Sequence, residues 1–380
     1  MDTTKSNDVF LQNISSDEYF PVPFEELEEA AKQKIDASAF GYIQSGAGGE
    51  ETLRKNNTSF SKYSIVPTFL KDVSKLDTSI TLFGRTYPYP LLLAPVGMLK
   101  LADEAADIAV AKAAAAHQIP FIQSTVSSYS IEEITAATGD SPKWFQLYWS
   151  NHRETAFNMV KRAEKAGYEA IVLTIDTFSL GWRETDLKNR FSPLMQGFGK
   201  ANYETDDVFL ASLPNQQPES VIQGIKDNIN HPSLNWDDIR ELKKRTTLPV
   251  LLKGILHPED ALQATRHGVD GIIISNHGGR QLDGVISSID ALPEIAAIID
   301  GKIPVLLDSG IRRGSDVVKA IALGADAVLL GRPFVYSLAV GGETGVRNYL
   351  ANFKQDVQAS TTLSGAATMQ DLRDLTITRT

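Results

Sequence analysis

The sequence predicts a (β/α)₈ barrel, and three observations support that fold class. Eight short apolar runs recur between residues 91 and 331. Amphipathic stretches of helical length separate most of these runs. Three of the stretches end just before the next run in glycine, at Gly167, Gly268 and Gly324, and glycine commonly ends a helix at such a junction. Eight strand–helix units fit a closed barrel, although a doubly wound open sheet is the competing architecture.

Each predicted strand is apolar at nearly every position, as strands buried on both faces are. The predicted strands are residues 91–94, 121–123, 144–148, 170–174, 249–253, 271–275, 304–308 and 327–331. The predicted helices between them include residues 102–117, 153–166, 258–267 and 314–323. A further helix is predicted over residues 23–40, because proline starts it and acidic residues fill its first turn.

The composition limits the class of protein. The chain has 380 residues, a formal net charge of −10 and no cysteine. We expect a single barrel domain over residues 1–380, with a polar, mobile N-terminus over residues 1–20. The negative charge disfavours a nucleic-acid partner, because a phosphate backbone recruits basic patches. Without cysteine, disulfides, thiolate nucleophiles and thiolate metal ligands are excluded.

The sequence predicts no membrane partner. A helix that spans a bilayer needs about 18 or more consecutive apolar residues, and no such run occurs. The first residues lack the basic region followed by an apolar stretch that marks a secretory signal. We therefore expect a cytoplasmic protein.

One long polar interval, residues 177–235, interrupts the alternation of strands and helices. It follows the fourth predicted strand, at the end where barrels keep their active sites. Intervals of this length are usually lids, binding loops or disordered insertions. We predict that it is an active-site lid, with Tyr203 as a candidate for closing on the substrate.

Polar side chains follow six consecutive predicted strands, directly where each strand ends. In a barrel these ends form the catalytic face, so we expect the side chains to collect around one site. From the third strand to the eighth they are Gln146 and Tyr148; Thr174, Asp176 and Arg183; Lys253; Ser275, Asn276, His277 and Arg280; Asp308, Ser309, Arg312 and Arg313; and Gly331 and Arg332.

The last two of these loops read DSGIRRG and GRP. Glycine lets a backbone approach a ligand closely, and arginine binds phosphate with two parallel hydrogen bonds. The loops after strands seven and eight of a barrel frequently hold a phosphate group. The two loops therefore predict a phosphorylated cofactor or substrate, and the alternative is a turn with surface arginines.

Lys253 ends an apolar strand and has two functional interpretations. Its amine could form a Schiff base with a carbonyl substrate if burial lowers its pKa. It could instead stay charged and stabilise a nearby anion. A structural alternative is a lysine that reaches outward from the barrel rim.

His277 is the candidate base, because imidazole titrates near neutral pH. Asp176, at a different strand end, could orient the ring and stabilise its charged form. The side chains that could bind a substrate carboxylate or hydroxyl group are Arg183, Arg280, Tyr42 and Tyr148. No HxH or HExxH spacing occurs, so no metal site is predicted.

Together these motifs resemble those of the FMN-dependent 2-hydroxy-acid oxidase family. They are APVG at residue 94, WFQLY at 144, LTIDT at 173, LKG at 252, SNHGGRQ at 275, DSGIRRG at 308 and LGRP at 330. The resemblance runs from Phe24 to Leu372, nearly the whole chain. It implies a (β/α)₈ barrel that binds FMN non-covalently and that often assembles as a homotetramer.

The resemblance also implies a role for each matching residue. Those beside the flavin ring or hydrogen-bonded to it are Ala94, Pro95, Val96, Gly97, Ser124, Gln146 and Thr174. Lys253 stabilises negative charge on the flavin, which displaces the Schiff-base interpretation. Those that hold the ribityl chain and the phosphate are Ser275, Asp308, Ser309, Gly310, Arg312, Gly331 and Arg332. Those that bind and orient the substrate are Tyr42, Tyr148, Arg183, Arg280 and His277, with Asp176 as the partner of the base.

The implied reaction is oxidation of an L-2-hydroxy acid, with L-lactate as the first choice, to the 2-oxo acid while O₂ becomes H₂O₂. GWR at 181–183 and ANY at 201–203 resemble the lactate enzymes of the family. Gly97 stands where many of the oxidases have alanine, so we expect open space over the flavin. One alternative is a lactate 2-monooxygenase that forms acetate, CO₂ and water. Another, from a different class, is a phosphate-binding barrel lyase that uses Lys253.

Overall fold

The structure, a computed structural model, describes residues 19–229 and 231–379. The helices α1 (Phe24–Lys32), α2 (Ala37–Gln44) and α3 (Glu51–Thr58) precede the barrel. The prediction of one helix over residues 23–40 is wrong, because the carboxylate of Asp36 accepts hydrogen bonds from two backbone N–H groups and starts α2 as a new helix. Of the predicted mobile N-terminus, residues 1–20, only the last two belong to the described part of the chain.

Three short strands follow these helices. They are β1 (Tyr63–Val66), β2 (Ile80–Leu82) and β3 (Arg85–Tyr87). β2 and β3 form an antiparallel hairpin, with Ile80 opposite Tyr87. This hairpin lies outside the barrel sheet.

The next eight strands are parallel and close into a barrel. They are β4 (Leu91–Leu93), β5 (Phe121–Gln123), β6 (Lys143–Tyr148), β7 (Ile171–Thr174), β8 (Val250–Ile255), β9 (Gly271–Ile274), β10 (Val305–Leu307) and β11 (Ala327–Leu330). Closure occurs where β11 pairs with β4, with Val328 opposite Leu91 and Leu330 opposite Leu93. This closure confirms the predicted (β/α)₈ barrel, and the doubly wound sheet is excluded.

The barrel strands are buried almost throughout, as their apolar sequence predicted. Every residue of β7, β9 and β11 is buried. Helices cover the outside of a parallel barrel and the strands' own side chains fill its inside, so neither face of a strand needs polar residues. For this reason continuous apolar runs located all eight strands.

Helices connect the barrel strands and pack on their outer side. Between β4 and β7 these are α4 (Ala106–Ala116), α5 (Ile131–Thr138) and α6 (Arg153–Lys165). The predicted glycine stops are confirmed, since Gly167, Gly268 and Gly324 have φ of +76°, +70° and +110°. In this left-handed region a side chain is strained and glycine is not.

The interval between β7 and the next barrel helix is largely helical. It contains α7 (Glu184–Asn189), α8 (Ala201–Glu204), α9 (Asp207–Ser212) and α10 (Pro218–Asn228). Its middle is anchored to the protein, because Asn202, Tyr203 and Phe209 are all buried. The interval is therefore folded against the barrel over residues 202–209.

The remaining helices complete the barrel and its closing segment. They are α11 (Trp236–Arg245), α12 (Pro258–Arg266), α13 (Ser288–Ile299), α14 (Gly314–Ala322), α15 (Arg332–Leu363) and α16 (Met369–Arg373). The last strand, β12 (Thr376–Arg379), pairs antiparallel with β1. In the part of the chain that the structure describes, no helix is long and apolar enough to cross a membrane.

Candidate active site

A cavity opens where the carboxyl ends of the barrel strands meet. Sixteen of the predicted site residues line it: Tyr42, Ala94, Pro95, Val96, Gly97, Tyr148, Arg183, Lys253, His277, Arg280, Asp308, Ser309, Gly310, Arg312, Gly331 and Arg332. These residues come from the ends of seven barrel strands, or the loops that follow them, and from α2. The barrel thus gathers residues that are up to 290 positions apart, from Tyr42 to Arg332, into one site.

Four predicted cofactor-binding residues are buried beside the cavity and support its wall. Gln146 accepts hydrogen bonds from the hydroxyl of Ser124 and the N–H of Thr125, and it donates one to the hydroxyl of Thr174. The hydroxyl of Ser275 accepts hydrogen bonds from the Lys253 amine and the His277 N–H, at 2.8 and 3.0 Å. The structure therefore places Ser124, Gln146, Thr174 and Ser275 in a network behind the lining.

His277 lies in a turn that only glycine-rich sequence can form. His277, Gly278 and Gly279 have φ of +58°, +64° and +76°. A Cβ atom on Gly279 would lie 2.7 Å from the backbone nitrogen of Leu53, and one on Gly278 would lie 2.9 Å from Arg332 Nη1. The two glycines therefore provide both the backbone conformation and the space that this turn requires.

The His277 ring pairs with the carboxylate of Asp176. Nδ1 of His277 lies 2.8 Å from Oδ1 of Asp176. Burial lowers the pKa of His277 below its usual value, although Asp176 acts in the opposite direction. Burial alone would raise the pKa of Asp176, but His277 and Lys253 bring it below its usual value. Both lowered pKa values are consistent with a neutral imidazole whose Nδ1–H donates to an ionised carboxylate. Nε2 of the ring is then free to act as a base.

Arg183 and Arg280 bring two positive charges to the same side of the cavity. Both are buried or nearly so, and Nε of Arg183 donates to the carbonyl oxygen of Arg280 at 3.2 Å. The Arg280 guanidinium lies 4.7 Å from the centre of the Tyr42 ring and donates to the carbonyl oxygens of Tyr42 and Ser45. Burial and the nearby Arg183 lower the pKa of Arg280 to about 9. An anion between the two guanidinium groups would relieve this repulsion.

Arg312 and Arg332 form a second positive region, after β10 and β11. Among the described residues, the Nε of Arg312 is buried without a hydrogen-bond partner, and its guanidinium stacks 4.1 Å from the centre of the Phe24 ring. Burial and the neighbouring Arg332 lower the pKa of Arg312 to about 10. The guanidinium of Arg332 donates only to backbone carbonyl oxygens in the part of the chain described. Two partly buried cations that have no carboxylate partner in this part of the chain fit a phosphate group.

Gly310 lets the backbone close tightly around this second region. Its φ is +100°, and a Cβ atom there would lie 2.1 Å from the carbonyl oxygen of Asn56. Arg313, by contrast, points away, with its side chain 57% exposed and 3.6 Å from Glu25. The loop DSGIRRG thus directs its first arginine into the cavity and its second toward the solvent.

Lys253 is held as one half of a buried ion pair. Its amine lies 3.0 Å from Asp308 Oδ2, and the two side chains are 5% and 9% exposed. A Schiff base requires an amine that is free to react, whereas the Lys253 amine is engaged by the Asp308 carboxylate and the Ser275 hydroxyl.

Gly254, the residue after Lys253, has φ of +114° and marks a register shift between β8 and β9. A Cβ atom on Gly254 would lie 2.9 Å from Asp176 Oδ2, so this glycine lets Asp176 approach the strand.

The surroundings of Gly97 correct one expectation. A Cβ atom on Gly97 would lie 2.4 Å from Cγ2 of Val126 and 3.2 Å from Oγ of Ser124. The position that a side chain on residue 97 would occupy is therefore taken by Val126, so the open space expected from this glycine is not found there. Val126 and Met98 also line the cavity. Neither residue was predicted from the sequence, where the only signal was that each lies just beyond the end of a predicted strand.

Tyr203, the candidate for closing on the substrate, is 1% exposed. Its ring packs edge-on against Phe209, with the ring centres 4.9 Å apart. Among the described residues, Tyr203 is not one of those that line the cavity. In this structure its side chain instead packs inside the protein, against Phe209.

Comparison with known proteins agrees with this architecture. The model of the FMN-dependent dehydrogenase family matches residues 31–379. An L-lactate oxidase of Lysinibacillus sphaericus is 55% identical over 379 residues, covering 100% of this chain and 98% of that protein. Glycolate oxidase 3 of Arabidopsis thaliana is 41% identical and covers 91% of this chain and 93% of that protein. A solved structure of mandelate oxidase with (S)-4-hydroxymandelic acid superimposes with a TM-score of 0.86 at 38% identity, covering 94% of this chain and 99% of that one.

The family match covers far more than half of the chain, and several relatives exceed 40% identity over nine-tenths of its length. The barrel, the cavity at its carboxyl end and the two positive regions agree with that match. The chain belongs to the FMN-dependent dehydrogenase family.

Proposed function

We propose that this protein oxidises L-lactate to pyruvate, with FMN as its cofactor and O₂ as the electron acceptor that becomes H₂O₂. The observation that carries the proposal is one cavity lined by a paired histidine base, His277, and by two arginines, the buried Arg183 and the partly buried Arg280. A 2-hydroxy acid needs both elements, a base for its hydroxyl proton and a cation for its carboxylate. The choice of lactate is supported by the relative that is 55% identical.

The residues present fit FMN. Arg312 and Arg332 would hold the phosphate, since both are partly buried in the cavity lining without a carboxylate partner in the described chain, and Arg312 Nε lacks a hydrogen-bond partner there. Lys253 would place a positive charge near the flavin, and Ala94 to Gly97 would form the wall beside its ring. When bound, FMN supplies the acceptor for the hydride equivalent that leaves the α-carbon.

The substrate would be positioned by charge and by hydroxyl groups. Arg183 and Arg280 would bind the carboxylate, which also relieves the repulsion that lowers the pKa of Arg280. Tyr42 and Tyr148 line the same cavity and would donate hydrogen bonds. Such positioning removes the entropy cost of aligning the reacting groups during the chemical step.

His277 would take the hydroxyl proton of the substrate on Nε2. Because its pKa is below the usual value, the ring is neutral and ready to accept a proton at physiological pH. Asp176, 2.8 Å from Nδ1, would stabilise the positive charge that the ring then acquires. The α-carbon loses its hydride equivalent and the hydroxyl loses its proton, so the product is the 2-oxo acid.

A lactate 2-monooxygenase outcome is the second candidate, because Gly97 stands where many oxidases of the family have alanine. The lyase alternative is disfavoured, because Lys253 is paired with Asp308 at 3.0 Å. The test adds L-lactate in air to the FMN-loaded protein and measures peroxide, pyruvate and acetate together. Equal peroxide and pyruvate support the oxidase. Acetate without peroxide contradicts it and supports the monooxygenase.

We also propose that residues 177–235 act as a lid over the cavity. Arg183 lies within this segment and lines the cavity. The amide of Asn202 donates to the carbonyl oxygens of Ser124 and Thr125 at 3.2 and 3.1 Å, which anchors α8. We therefore expect the parts of the segment before and after α8 to move, while α8 itself stays in place. Limited proteolysis should cut the segment more slowly when pyruvate is bound, and unchanged cutting contradicts a lid.

We propose, finally, a cytoplasmic homotetramer. A row of large apolar side chains is exposed beside the cavity: Phe178 at 58%, Leu180 at 64%, Trp182 at 69% and Leu282 at 72%. Exposed apolar groups this close together are typical of an interface. Light scattering should give the mass of four chains, and Trp182→Glu should lower it. A monomeric wild-type protein contradicts this assembly.

A further inference from the structure

We propose that Gln281 is a positioning residue that holds the loop of residues 176–183, so that Asp176 faces His277 and Arg183 lines the cavity. Gln281 itself does not belong to the described cavity lining. The proposal deepens the proposed function and rests on it, since it concerns the same His277 base. Gln281 would thus act on the reaction through the residues that it holds, and not by contact with the reacting groups.

The side-chain amide of Gln281 makes all of its hydrogen bonds in the described chain with this one loop. Its Nε2 donates to the carbonyl oxygens of Asp176 and Ser179, at 2.8 and 2.9 Å. Its Oε1 accepts from the N–H of Gly181 at 3.2 Å. Both donor hydrogens and the acceptor oxygen therefore bind backbone groups within six residues of one another. The residue is 8% exposed, so water competes little for these bonds.

The same loop lies in direct backbone contact with residues 280 and 281. A Cβ atom on Gly181 would be 2.4 Å from the carbonyl oxygen of Arg280 and 2.7 Å from that of Gln281. Arg183 Nε donates to the carbonyl oxygen of Arg280 at 3.2 Å. The loop after β7 thus packs against the loop after β9, and the Gln281 side-chain amide holds the two loops together with three hydrogen bonds.

Asp176 depends on this attachment because its own carboxylate is only partly fixed. Oδ1 interacts with His277 Nδ1 and accepts from the hydroxyl of Thr177, at 2.8 and 2.9 Å. Within the described residues, Oδ2 is buried and has no hydrogen-bond partner. The direction of the carboxylate therefore depends on where the backbone of Asp176 is held, and Gln281 binds that backbone directly.

Loss of the attachment has an electrostatic consequence at His277. The charged groups that face this ring are Asp176, which raises its pKa, and Lys253 and Arg183, which lower it together with burial. If Asp176 moves away, only the lowering influences remain. The pKa of His277 should then fall further, even with no substrate bound.

The test uses the variant Gln281→Met and one matched control in the FMN-loaded protein. Gln281→Met keeps the length of the side chain and removes all three hydrogen bonds. The control is Asn228→Leu, because the Asn228 amide, at the end of α10, also makes three hydrogen bonds, with Gly224, His152 and Ser150, and lies outside the described cavity lining.

The first measurement is the pKa of His277, from nuclear magnetic resonance of protein labelled with ¹³C-histidine and without substrate. His277→Gln identifies the resonance by its absence. We expect the pKa to fall by about 0.5 to 1 unit in Gln281→Met and to stay unchanged in Asn228→Leu. An unchanged pKa of His277 in folded Gln281→Met overturns the proposal.

The second measurement is the anaerobic rate of flavin reduction by L-lactate. Gln281→Met should slow it by about 10², but by only about threefold when Asp176→Asn is already present, since the residue to be positioned has then lost its charge. The same loss in both backgrounds overturns the proposal. A wild-type protein that L-lactate does not reduce contradicts the proposed function, and the substrate-free pKa measurement still decides the role of Gln281.

Discussion

Nδ1 of His277 lies 2.8 Å from Oδ1 of Asp176, although the two residues are 101 positions apart in the sequence. His277 follows β9 and Asp176 follows β7, so the closed barrel brings the two loops together at its carboxyl end. The pKa of the histidine and that of the aspartate are both lowered. This combination describes a neutral base held by an ionised partner, as oxidation of a hydroxyl group requires.

Replacement of His277 should separate cofactor binding from chemistry. His277→Gln keeps a polar side chain and removes the base. We expect the protein to keep its FMN and its yellow colour, while L-lactate reduces the flavin more slowly by about 10³. Anaerobic stopped-flow spectroscopy measures this rate. Undiminished reduction in the variant rules out His277 as the base.

Replacement of Asp176 should shift the pH dependence toward lower pH. The base works in its neutral form, so kcat/KM rises as pH increases through the pKa of His277. Asp176 raises that pKa, and Asp176→Asn should therefore move the rise to lower pH while the plateau falls. Initial rates with L-lactate across the acidic range test this. A rise that moves to higher pH contradicts the assignment.

Arg312 and Arg313 are neighbours in sequence and should behave differently toward FMN. Arg312 lines the cavity, is partly buried and has no carboxylate partner among the described residues, whereas Arg313 is 57% exposed and pairs with Glu25. Arg312→Leu should weaken FMN binding by about 10- to 100-fold, the value of one or two charge-assisted hydrogen bonds. Arg313→Leu should leave FMN affinity unchanged. Fluorescence titration of the FMN-free protein measures both, and equal effects contradict the phosphate site.

Arg280→Lys should raise the KM for L-lactate by about 10-fold or more. The guanidinium of Arg280 already donates to the carbonyl oxygens of Tyr42 and Ser45 while it lines the cavity. A lysine carries the same charge but cannot make these bonds and bind a carboxylate together. Steady-state kinetics measure the change. A KM equal to that of the wild type shows that charge alone suffices.

Gly97→Ala should disturb Val126, because the new methyl group would lie 2.4 Å from Cγ2 of that residue. We expect weaker FMN binding and a changed ratio of peroxide to acetate. Val126→Ala in the same chain should restore FMN binding by making room. Affinity and product ratio are measured for both single variants and the double variant. Independent effects of the two changes would show that the contact is unimportant.

Much of the architecture was predictable because its signals are local. Continuous apolar runs marked every barrel strand, since a strand covered on both faces needs no polar residue. Glycine at residues 167, 268 and 324 marked the helix ends, because each residue has positive φ. The position of His277 was also predictable, since the following Gly278 and Gly279 mark a tight turn at a strand end.

Other features depend on contacts between distant segments, and no local pattern reports them. The break between α1 and α2 is an exception, because it is local: the Asp36 carboxylate caps α2 by accepting from the N–H groups of Ser38 and Ala39, and this cap interrupts an otherwise helical pattern. The contact between Gly97 and Val126 and the bonds of Gln281 to the loop after β7 exist only once the barrel has closed. The burial of Tyr203 against Phe209 likewise follows from packing within the interval 177–235.

The measurement that tests the central claim most directly is the visible spectrum of the purified, FMN-loaded protein during addition of L-lactate with oxygen excluded. The base, the arginine pair and the phosphate site together predict that the yellow colour bleaches and that one pyruvate forms for each flavin. Admission of air should then restore the colour. A flavin that stays fully yellow in excess L-lactate would contradict the account.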